Sequence, residues 1–564
     1  MRLLWVLAAV LVGCSSGSSA ETDAGGTDGG ALPQASRLFR SAEFRGCAYA
    51  SPRRFDLDGR ALVLAAEDIG IVHALDAATG DEVWSLEIAP ELPAQDIYLL
   101  STPAIFGERA LFGWQEVIGD QVNRVRHRVR VVDLRTGTWD EAYEPLDLEG
   151  RVPAADGSGE VVFDSLRQLM RSEIEIDGDH AFVPLGNGPS RQPFHGWIFE
   201  LDLNAWRDGS ASDAIAALLC TTAENDCGPT GSDSPMRCGG GVWNAAGMVS
   251  YEDEGETFWL VPTGNGRIDY DRGAYAHSVL RVQRGLAFSS GCDPALCDPM
   301  DELNPDPACF ASCENVFSAH LPPGAPDLAP EDGTCDGLGF VECYGALDAD
   351  LGASSPVVTE VPGGPPVIIQ PGKDGALYLI DRERMGRLYQ RLQVMDFCGT
   401  LTDDCRAFWI GTFVTHPVVV DVGGERLVIV VGIVADRTHP AGLTAFRLSM
   451  VDGEPRLSMA WQTPSFSSPE AQEVFRHTSG RPVIVNVDGE PYVVVVEARR
   501  GDGASPPGTL WGVRARDGAV VFREDVSGAG QRFAVPDVDG TTVYLTTCNS
   551  GADREGRIEA WRLR

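Results

Sequence analysis

Positive charge is the first thing that this sequence lacks. Its 564 residues include 45 Lys and Arg against 82 Asp and Glu, which gives a formal net charge of −37. A surface this acidic repels phosphate, which excludes a nucleic-acid binder and a protein held on anionic lipid by a basic patch. The hydrophobic fraction is an ordinary 43%, and only 23% of the residues are charged. The chain can therefore build a large core, and wholesale disorder is excluded.

An apolar run long enough to span a bilayer is also missing near the N-terminus. Residues 3–12 are apolar, follow Met1-Arg2 and end at Gly13-Cys14. A basic start, a short apolar run and a small-residue end are typical of a secretory signal. Residues 11–14, Leu-Val-Gly-Cys, resemble the lipobox of bacterial lipoproteins, which implies cleavage after residue 13 and lipidation of Cys14. Ordinary secretion with an incidental cysteine is the alternative.

The residues after Cys14 are typical of a tether. Residues 14–35 are mostly Ser, Gly, Asp, Thr and Ala, a composition that predicts a flexible segment between a lipid anchor and the folded body. Ser15 resembles the outer-membrane sorting pattern of such lipoproteins. We therefore expect a cell-envelope protein, anchored to the membrane by lipid and facing the periplasm or the cell surface.

The 14 cysteines include no C-x-x-C motif and no C-x-x-C-H haem attachment site. In an exported protein, cysteines close in sequence predict disulfides that staple loops. The local candidates are Cys220 with Cys227, Cys292 with Cys297, Cys309 with Cys313, Cys335 with Cys343, and Cys398 with Cys405. A metal site at Cys292, Cys297, Cys309 and Cys313 is the alternative, although the spacing suits zinc poorly. Thirteen cysteines follow Cys14, so at least one thiol is left without an intramolecular partner.

A sustained helical period is absent after the signal, and a β pattern recurs instead. Residues 417–432 and 482–497 each read as an apolar strand, a Gly-containing reversal and a second apolar strand. A second motif, Leu-Asp-x-x-Thr-Gly followed by an aromatic residue, starts near Val72 and recurs near Val129, with partial copies near Ala376 and Leu510. A four-stranded unit repeating about every 60 residues is typical of a β-propeller blade.

The repeat predicts an all-β protein, an eight-bladed propeller of four-stranded antiparallel blades over residues 36–564, with seven blades as the fallback. Independent domains in series are the alternative. The last blade shows only three strands, so we expect a strand near Phe55 to complete it and Cys47 with Cys548 to close the ring. The strand groups fall near residues 60–86, 100–140, 173–207, 242–290, 354–392, 410–463, 481–524 and 531–564.

One segment interrupts the repeat. Residues 286–345 read as loop, with six cysteines and many Pro and Asp. We interpret this segment as a cysteine-rich insertion, because long loops in compact domains usually serve as lids or binding loops.

The repeat resembles that of the quinoprotein alcohol dehydrogenase superfamily, eight-bladed propellers that carry pyrroloquinoline quinone (PQQ) on their axis. The likeness is strongest in Gly239-Gly-Gly-Val-Trp243, Thr263-Gly-Asn-Gly266, residues 348–356 (Asp-Ala-Asp-Leu-Gly-Ala-Ser-Ser-Pro) and Gly372-Lys-Asp-Gly375. Residues 348–356 are similar to a stretch of polyvinyl-alcohol-dehydrogenase-like members.

The resemblance implies roles for individual residues. Trp243 would stack on PQQ, Lys373 would bind its oxygens, and Asn265 would ligate calcium. Asp348 would be the base that takes the alcohol proton, and would also lie at the calcium. If the segment is extended, Asp350 points to the same side as Asp348, and repulsion between the two would raise one pKa.

Each of these residues also has an ordinary structural interpretation. Trp243 could be one of many packing tryptophans, and Asn265 could hold a left-handed turn between two glycines. Lys373 could be a solvated turn residue, and Asp348 and Asp350 could be loop carboxylates.

Three departures from the family pattern weaken the prediction of activity. Where the family has a calcium-ligating glutamate, this chain has residues 189–192, Pro-Ser-Arg-Gln, with Arg191 the closest match. The vicinal Cys-Cys pair of many dehydrogenases is absent, and so is a haem domain.

Two hypotheses follow. The first is a degenerate or non-catalytic binding or scaffold propeller, with an unidentified small-molecule ligand or a protein partner in the envelope. The second is a PQQ- and calcium-dependent alcohol dehydrogenase. The sequence lacks G-x-S-x-G and H-E-x-x-H, so a hydrolase finds no support.

Overall fold

Two-residue reversals fold the body of the chain into antiparallel hairpins. At Asp58-Gly59 the two φ angles are 52° and 78°, and at Asp488-Gly489 they are 51° and 85°. Both central residues of a type I′ turn need positive φ, and the twist of this turn suits the strands that it joins. Acidic-Gly pairs at such positions therefore define where one strand ends and the next begins.

A computed structural model describes residues 33–118, 124–187, 193–227, 238–244, 246–298, 300, 306–320, 337–395, 413–432, 442–464, 480–497, 508–531, 534–550 and 554–564. Residues 33–564 form one compact unit. The predicted signal peptide, Cys14 and most of the tether lie outside the described residues, as do Arg191 and the cysteines Cys335, Cys398 and Cys405.

Eight antiparallel sheets follow one another along the chain, which confirms the predicted eight-bladed propeller. The strands of blade 1 are Arg53–Leu57, Arg60–Glu67, Ile71–Asp76 and Glu82–Glu87. Those of blade 2 are Ile97–Tyr98, Ala104–Phe106, Arg109–Val117, Val125–Asp133, Thr138–Trp139 and Leu146–Asp147. Those of blade 3 are Gln168–Leu169, Glu175–Asp177, His180–Asn187, Trp197–Asp202 and Ile215–Cys220. Those of blade 4 are Val249–Asp253, Glu256–Pro262, Ser278–Gln283 and Val316–Ser318.

The later blades are more regular. Blade 5 contains Val357–Glu360, Pro366–Pro371, Ala376–Asp381 and Leu388–Gln393. Blade 6 contains Val418–Val422, Glu425–Gly432, Gly442–Val451 and Glu454–Thr463. Blade 7 contains Val483–Val487, Glu490–Val496, Thr509–Arg514 and Val520–Asp525. Blade 8 contains Ala529–Gly530, Asp537–Asp539, Thr542–Ser550, Arg554–Leu563 and the N-terminal strand Ala35–Arg40.

The remaining elements are short. Two-stranded ribbons pair Arg151–Pro153 with Glu160–Val162 and Ile268–Asp269 with Ala274–Tyr275. The α-helices are Leu203–Asp208, Pro294–Cys297, Pro307–Ser312 and Phe340–Ala346. The 3-10 helices are Ala94–Asp96, Ser165–Arg167, Ala211–Asp213, Tyr270–Arg272 and Arg284–Leu286. None of the helices in the described part of the chain has the length and apolar character needed to span a membrane.

The Asp-x-x-Thr-Gly motif joins neighbouring blades. The Asp76 carboxylate accepts hydrogen bonds from the backbone of Ala78 and Thr79, which makes the turn after the third strand of blade 1. The motif tryptophan then docks on the same turn of the next blade. Trp84 Nε1 donates to Leu134 O at 3.0 Å, and a Cβ on Gly137 would lie 2.5 Å from the Trp84 ring.

Blades 6 and 7 repeat this contact. Trp461 Nε1 donates to Ala515 O at 2.9 Å, and a Cβ on Gly518 would lie 2.6 Å from the Trp461 ring. The glycine of the motif therefore serves two purposes, since it allows positive φ in its own turn and leaves room for a neighbouring indole.

The ring closes differently from our expectation. The strand that completes blade 8 is Ala35–Arg40, which pairs antiparallel with Arg554–Leu563. Phe55 lies instead in the inner strand of blade 1, paired with Leu62. The structure joins Cys47 to Cys548 across the same closure, as the sequence suggested.

In each blade, an equivalent position near the axis lies two residues before the inner strand. The inner strands begin, in blade order, at Arg53, Ala104, Glu175, Val249, Val357, Val418, Val483 and Asp537. The residues two positions before them are Ser51, Thr102, Glu173, Gly247, Ser355, His416, Arg481 and Val535. We call these eight residues the axial ring, because inner strands of a propeller line its central channel. Neighbours in the ring are hydrogen-bonded: Val535 N donates to Ser51 Oγ at 2.8 Å, and Ser51 N donates to Thr102 Oγ1 at 2.9 Å.

The cysteine-rich segment corrects several local disulfide predictions. Cys292 pairs with Cys313, and Cys297 pairs with Cys309, so the two disulfides fasten helix Pro294–Cys297 to helix Pro307–Ser312. The predicted partners fail because the helices face each other, which brings together cysteines that are distant in sequence. These sulfurs are used in disulfides, which removes the metal alternative. The segment also supplies a strand of blade 4, Val316–Ser318, and is therefore not wholly an insertion.

The pairing of Cys220 with Cys227 is also wrong. Cys227 pairs with Cys238, and Cys220 is a free thiol buried at the end of a blade 3 strand. Burial raises the pKa of the Cys220 thiol to about 12. Cys343 is disulfide-bonded.

The closure generates a prediction about stability. Cys47 and Cys548 are separated by 501 residues, so their disulfide restricts nearly the whole unfolded chain. We expect the double variant Cys47→Ser/Cys548→Ser to lose about 2–4 kcal/mol of unfolding free energy, measured by chemical denaturation. Cys220→Ala, which removes a thiol without removing a cross-link, is the control. A loss no larger in the double variant than in this control would contradict the prediction.

Candidate functional site

Lys373 lies on the hairpin turn between two strands of blade 5, and Asp374 holds that turn in place. Asp374 Oδ1 accepts a hydrogen bond from Ala376 N, and its Oδ2 accepts from Tyr344 OH and Tyr378 OH, both at 2.6 Å. Arg391 Nη2 lies 2.8 Å from the same oxygen. A carboxylate with four donors fixes the turn, and the Lys373 side chain next to it is fixed with the turn.

The Lys373 ammonium bridges two carboxylates. Its Nζ lies 2.9 Å from Asp348 Oδ1 and 2.8 Å from Asp350 Oδ2, and the residue is only 3% exposed. The interpretation of Lys373 as a solvated turn residue is therefore wrong. Among the 45 basic residues of the chain, Lys373 is the only lysine. All the other basic residues are arginines. This position alone therefore has a compact ammonium in place of a planar guanidinium.

The two aspartates reach the lysine from a turn rather than from an extended segment. Asp348 follows helix Phe340–Ala346 and has a φ of 51°, so the expected extended backbone is wrong at this residue. Asp350 is fully buried, and burial raises the pKa of its carboxyl to about 7. Lys373 opposes this shift, and the neighbouring Asp348 charge adds to it. The predicted repulsion between the carboxylates exists, but burial is the larger cause.

Asn265 is hydrogen-bonded to one of these two carboxylates, that of Asp348. Its Nδ2 donates to Asp348 Oδ1, and its Oδ1 is buried without a hydrogen-bond partner. The left-handed backbone in this turn belongs to Gly266, with a φ of 151°, and not to Asn265. A Cβ on Gly352 would lie 2.7 Å from Gly264 N, so close backbone contact brings the Asp350 and Asn265 segments together.

Trp243 forms an aromatic wall beside these groups. A Cβ on Gly186 would lie 2.5 Å from Trp243 Cβ, and a Cβ on Gly264 would lie 2.9 Å from its Nε1, so two glycines make room for the indole. Lys373 Nζ lies 4.6 Å from the ring centroid, and Arg171 Cζ lies 4.8 Å from it. Trp243 also packs in a core cluster with Ala353 and Val414. Packing and cation contact therefore both apply to this tryptophan.

The structure brings the four residues with predicted roles, Trp243, Asn265, Asp348 and Lys373, into one group. We call these four residues together with Asp350 the central cluster. Sequence reasoning missed two residues that border it, Arg171 and His277. Burial lowers the pKa of Arg171 to about 10, and burial together with the charge of Lys373 lowers that of His277 to about 3. Nothing in the local sequence distinguishes these residues, but the uniqueness of Lys373 was a signal that could have been read.

The residues of the central cluster fit calcium poorly. Two oxygens, Asn265 Oδ1 and Asp350 Oδ1, are buried without hydrogen-bond partners and could serve as metal ligands. However, both carboxylates already contact the Lys373 ammonium, and a divalent cation beside it would be repelled. The two carboxylates balance the charges of Lys373 and Arg171, so this aromatic wall suits a planar ligand better than it suits a metal ion.

Comparison with known proteins supports the fold. The chain superposes on quinohemoprotein alcohol dehydrogenase ADHIIG from Pseudomonas putida HK5 with a TM-score of 0.54 and 12% identity, covering 94% of this chain and 76% of that one. A europium-containing methanol dehydrogenase superposes with a TM-score of 0.51 and 10% identity, covering 93% of each chain. BamB from Moraxella catarrhalis is a looser match, with a TM-score of 0.44 and 12% identity over 93% of this chain and 99% of that one.

No protein-family model matches the chain, and no curated protein matches its sequence. The two superpositions with TM-scores above 0.5 show that the chain has the eight-bladed propeller fold of the quinoprotein dehydrogenases.

The ion pairs of Lys373 generate a prediction about stability. Lys373→Met leaves Asp348 and Asp350 without their cation, and we expect a loss of about 3–5 kcal/mol in unfolding free energy. Adding Asp350→Asn removes one of the uncompensated charges and should restore part of the loss. Denaturant unfolding of the single and double variants measures both effects.

The control is Arg45→Met, which removes a cation whose side chain is 67% exposed and paired with Glu87 at the surface. We expect a change of at most about 1 kcal/mol there. Equal losses in Lys373→Met and in its double variant with Asp350→Asn would show that the two residues are not coupled.

Proposed function

We propose that this chain is an exported propeller that binds a small ligand at its axis and does not turn it over. In this proposal the central cluster is a degenerate cofactor site of the quinoprotein type. The Lys373 ammonium supplies the positive charge that a metal ion would supply in a dehydrogenase. The observation that carries the proposal is the contact of this one ammonium with both Asp348 and Asp350, at 2.9 and 2.8 Å.

The composition of the chain supports a retained site. A buried lysine costs stability unless its charge is compensated, so burying the only lysine of the chain here needs a reason. Two features of the surroundings suit a flat ligand: an indole face and two cations beside that face. The missing metal-ligating glutamate agrees with a site that has no metal.

A PQQ- and calcium-dependent alcohol dehydrogenase is the second candidate. The observation that favours it is the pair of buried oxygens without hydrogen-bond partners, Asn265 Oδ1 and Asp350 Oδ1, next to a half-buried Asp348. When bound, PQQ would accept the hydride of the alcohol and calcium would polarise the quinone. Asp348 would then hold the alcohol proton, Trp243 would support the ring, and Asn265 would orient Asp348.

One experiment separates the two candidates. Purified protein is titrated with PQQ in the presence and absence of calcium chloride, and alcohol-dependent dye reduction is measured. For a binding protein we expect no turnover above that of the heat-denatured sample. Turnover that requires both PQQ and calcium, and that falls at least about 100-fold in Asp348→Asn, would establish the dehydrogenase instead.

The role of Lys373 as a substitute for a metal has its own test. We expect calorimetric titration with calcium chloride to give no binding to the wild type and one-site binding to Lys373→Ala, in which two carboxylates and Asn265 lack a cation. The variant Asp350→Asn/Lys373→Ala is the matched control and should bind calcium more weakly. Calcium binding by the wild type would contradict the proposal.

We further propose that a lipid on Cys14 holds the propeller at the outer membrane of the cell envelope. The basic start, the apolar run and the Leu-Val-Gly-Cys sequence of residues 11–14 support this proposal.

The anchor is tested by fractionating cells that express the full-length chain. We expect the wild type in the detergent-soluble membrane fraction and Cys14→Ala in the soluble fraction or held as the uncleaved precursor. Cys220→Ala is the matched control, because it removes a cysteine that forms no disulfide. A Cys14→Ala protein of mature size that stays with the membrane would argue against lipidation.

A further inference from the structure

Arg481 is a fully buried cation in the axial ring. It precedes the inner strand of blade 7, Val483–Val487, and its exposure is 0%. Its Nη1 lies 3.1 Å from Nδ1 of His416, the ring residue of the preceding blade. The Nε and Nη2 atoms of Arg481 are buried without hydrogen-bond partners.

No carboxylate compensates this charge among the described residues. Burial lowers the pKa of Arg481 to about 9, and no neighbouring acidic group opposes the shift. Two other cations near the axis differ in this respect. The partly buried Arg53 pairs with Glu173, and the buried Lys373 pairs with Asp348 and Asp350. An isolated buried charge is strongly unfavourable, so Arg481 is unusual.

His416 does not act as the counterion. It is partly buried, and desolvation together with the charge of Arg481 lowers the pKa of His416 to about 3. The imidazole is therefore neutral at physiological pH. Its Nδ1 accepts a hydrogen bond from Arg481 Nη1, which leaves the guanidinium charge uncompensated.

The two atoms of Arg481 without partners lie on the same edge of the guanidinium. The Nε–H and the outward Nη2–H are parallel, and this edge matches the two oxygens of a carboxylate. We propose that Arg481 binds an oxyanion, a carboxylate in the best-fitting case, on the propeller axis. The ligand supplies the counterion that the described residues do not.

The axial ring connects Arg481 with the central cluster. Asn244, next to Trp243, donates from Nδ2 to Ser355 Oγ of the ring at 2.8 Å. Val414, two residues before His416, packs in the same core cluster as Trp243. The ring that contains Arg481 therefore also contacts the residues next to Trp243. The oxyanion site itself does not rest on the proposed function.

The enclosure of Arg481 has a kinetic consequence. Because no part of its side chain is exposed to solvent, side chains around it must rearrange to admit an anion. We therefore expect a small anion to associate well below the diffusional ceiling of about 10⁸–10⁹ M⁻¹s⁻¹.

Sodium formate is the probe, since it is the smallest carboxylate, and formamide is its neutral control. We expect calorimetric titration of the full-length wild type to show saturable one-site binding of formate and none of formamide. Arg481→Met should weaken formate binding at least tenfold. Arg45→Met, which removes an exposed cation, should bind formate as the wild type does. Absence of saturable formate binding to the wild type, or equal binding by Arg481→Met, would overturn the proposal.

A second measurement covers the case in which Arg481→Met affects folding. If the guanidinium is uncompensated, Arg481→Met should have a thermal midpoint at or above that of the wild type in formate-free buffer, and only the wild type should gain from formate. A midpoint clearly below that of the wild type without formate would show a structural role and overturn the proposal.

The source of the oxyanion is a separate question. Acids released by denaturing freshly purified protein are identified by mass spectrometry. A stoichiometric organic acid in the wild type that is absent from Arg481→Met indicates a carboxylate of a larger ligand. Formate binding without such an acid indicates a free anion. Either result supports the site, and neither depends on whether the central cluster binds PQQ or calcium.

Discussion

The pairing of strand Ala35–Arg40 with strand Arg554–Leu563 is the constraint on which the centre of this molecule depends. Ser36 and Arg562 pair although 526 residues separate them. An open row of blades would spread their inner ends apart, while a closed ring directs them to one axis. The central cluster is assembled from the blade 3 to blade 4 connection, blade 4, the approach to blade 5, and blade 5 itself. No single blade contains enough of these groups to bind a ligand.

Around this axis, charge is compensated almost residue by residue. Asp374 is balanced by Arg391 and two tyrosines, and Lys373 is shared between Asp348 and Asp350. Such local balance explains how an interior with many ionised groups stays folded. It also makes the exception visible, because Arg481 lacks a carboxylate among the described residues. A site for a negatively charged ligand follows from charge balance, without reference to any relative.

Much of the fold could be predicted because it is local and repeated. The Asp-x-x-Thr-Gly turns and the tryptophan that docks on the next glycine recur at fixed spacing, and they gave the eight blades. The closing strand could not be predicted, since residues 35–40 become a strand only through a partner at the other end of the chain. The disulfide pairs of Cys292, Cys297, Cys309 and Cys313 depend on how two short helices face each other.

The same distinction applies to the candidate site. Trp243, Asn265, Asp348 and Lys373 carry motifs that a sequence reader can recognise, and the structure brings them together. Arg171 and Arg481 carry no motif, and only their contacts in the fold, with Trp243 and with His416, distinguish them from the other arginines. The burial of Lys373 also determines how the protein reacts with reagents that modify amines. Because the only lysine is buried, the body of this protein offers no exposed lysine amine to acylating reagents, amine cross-linkers or lysine-specific proteases. Any modification of a lysine in this chain would therefore report directly on the opening of its centre.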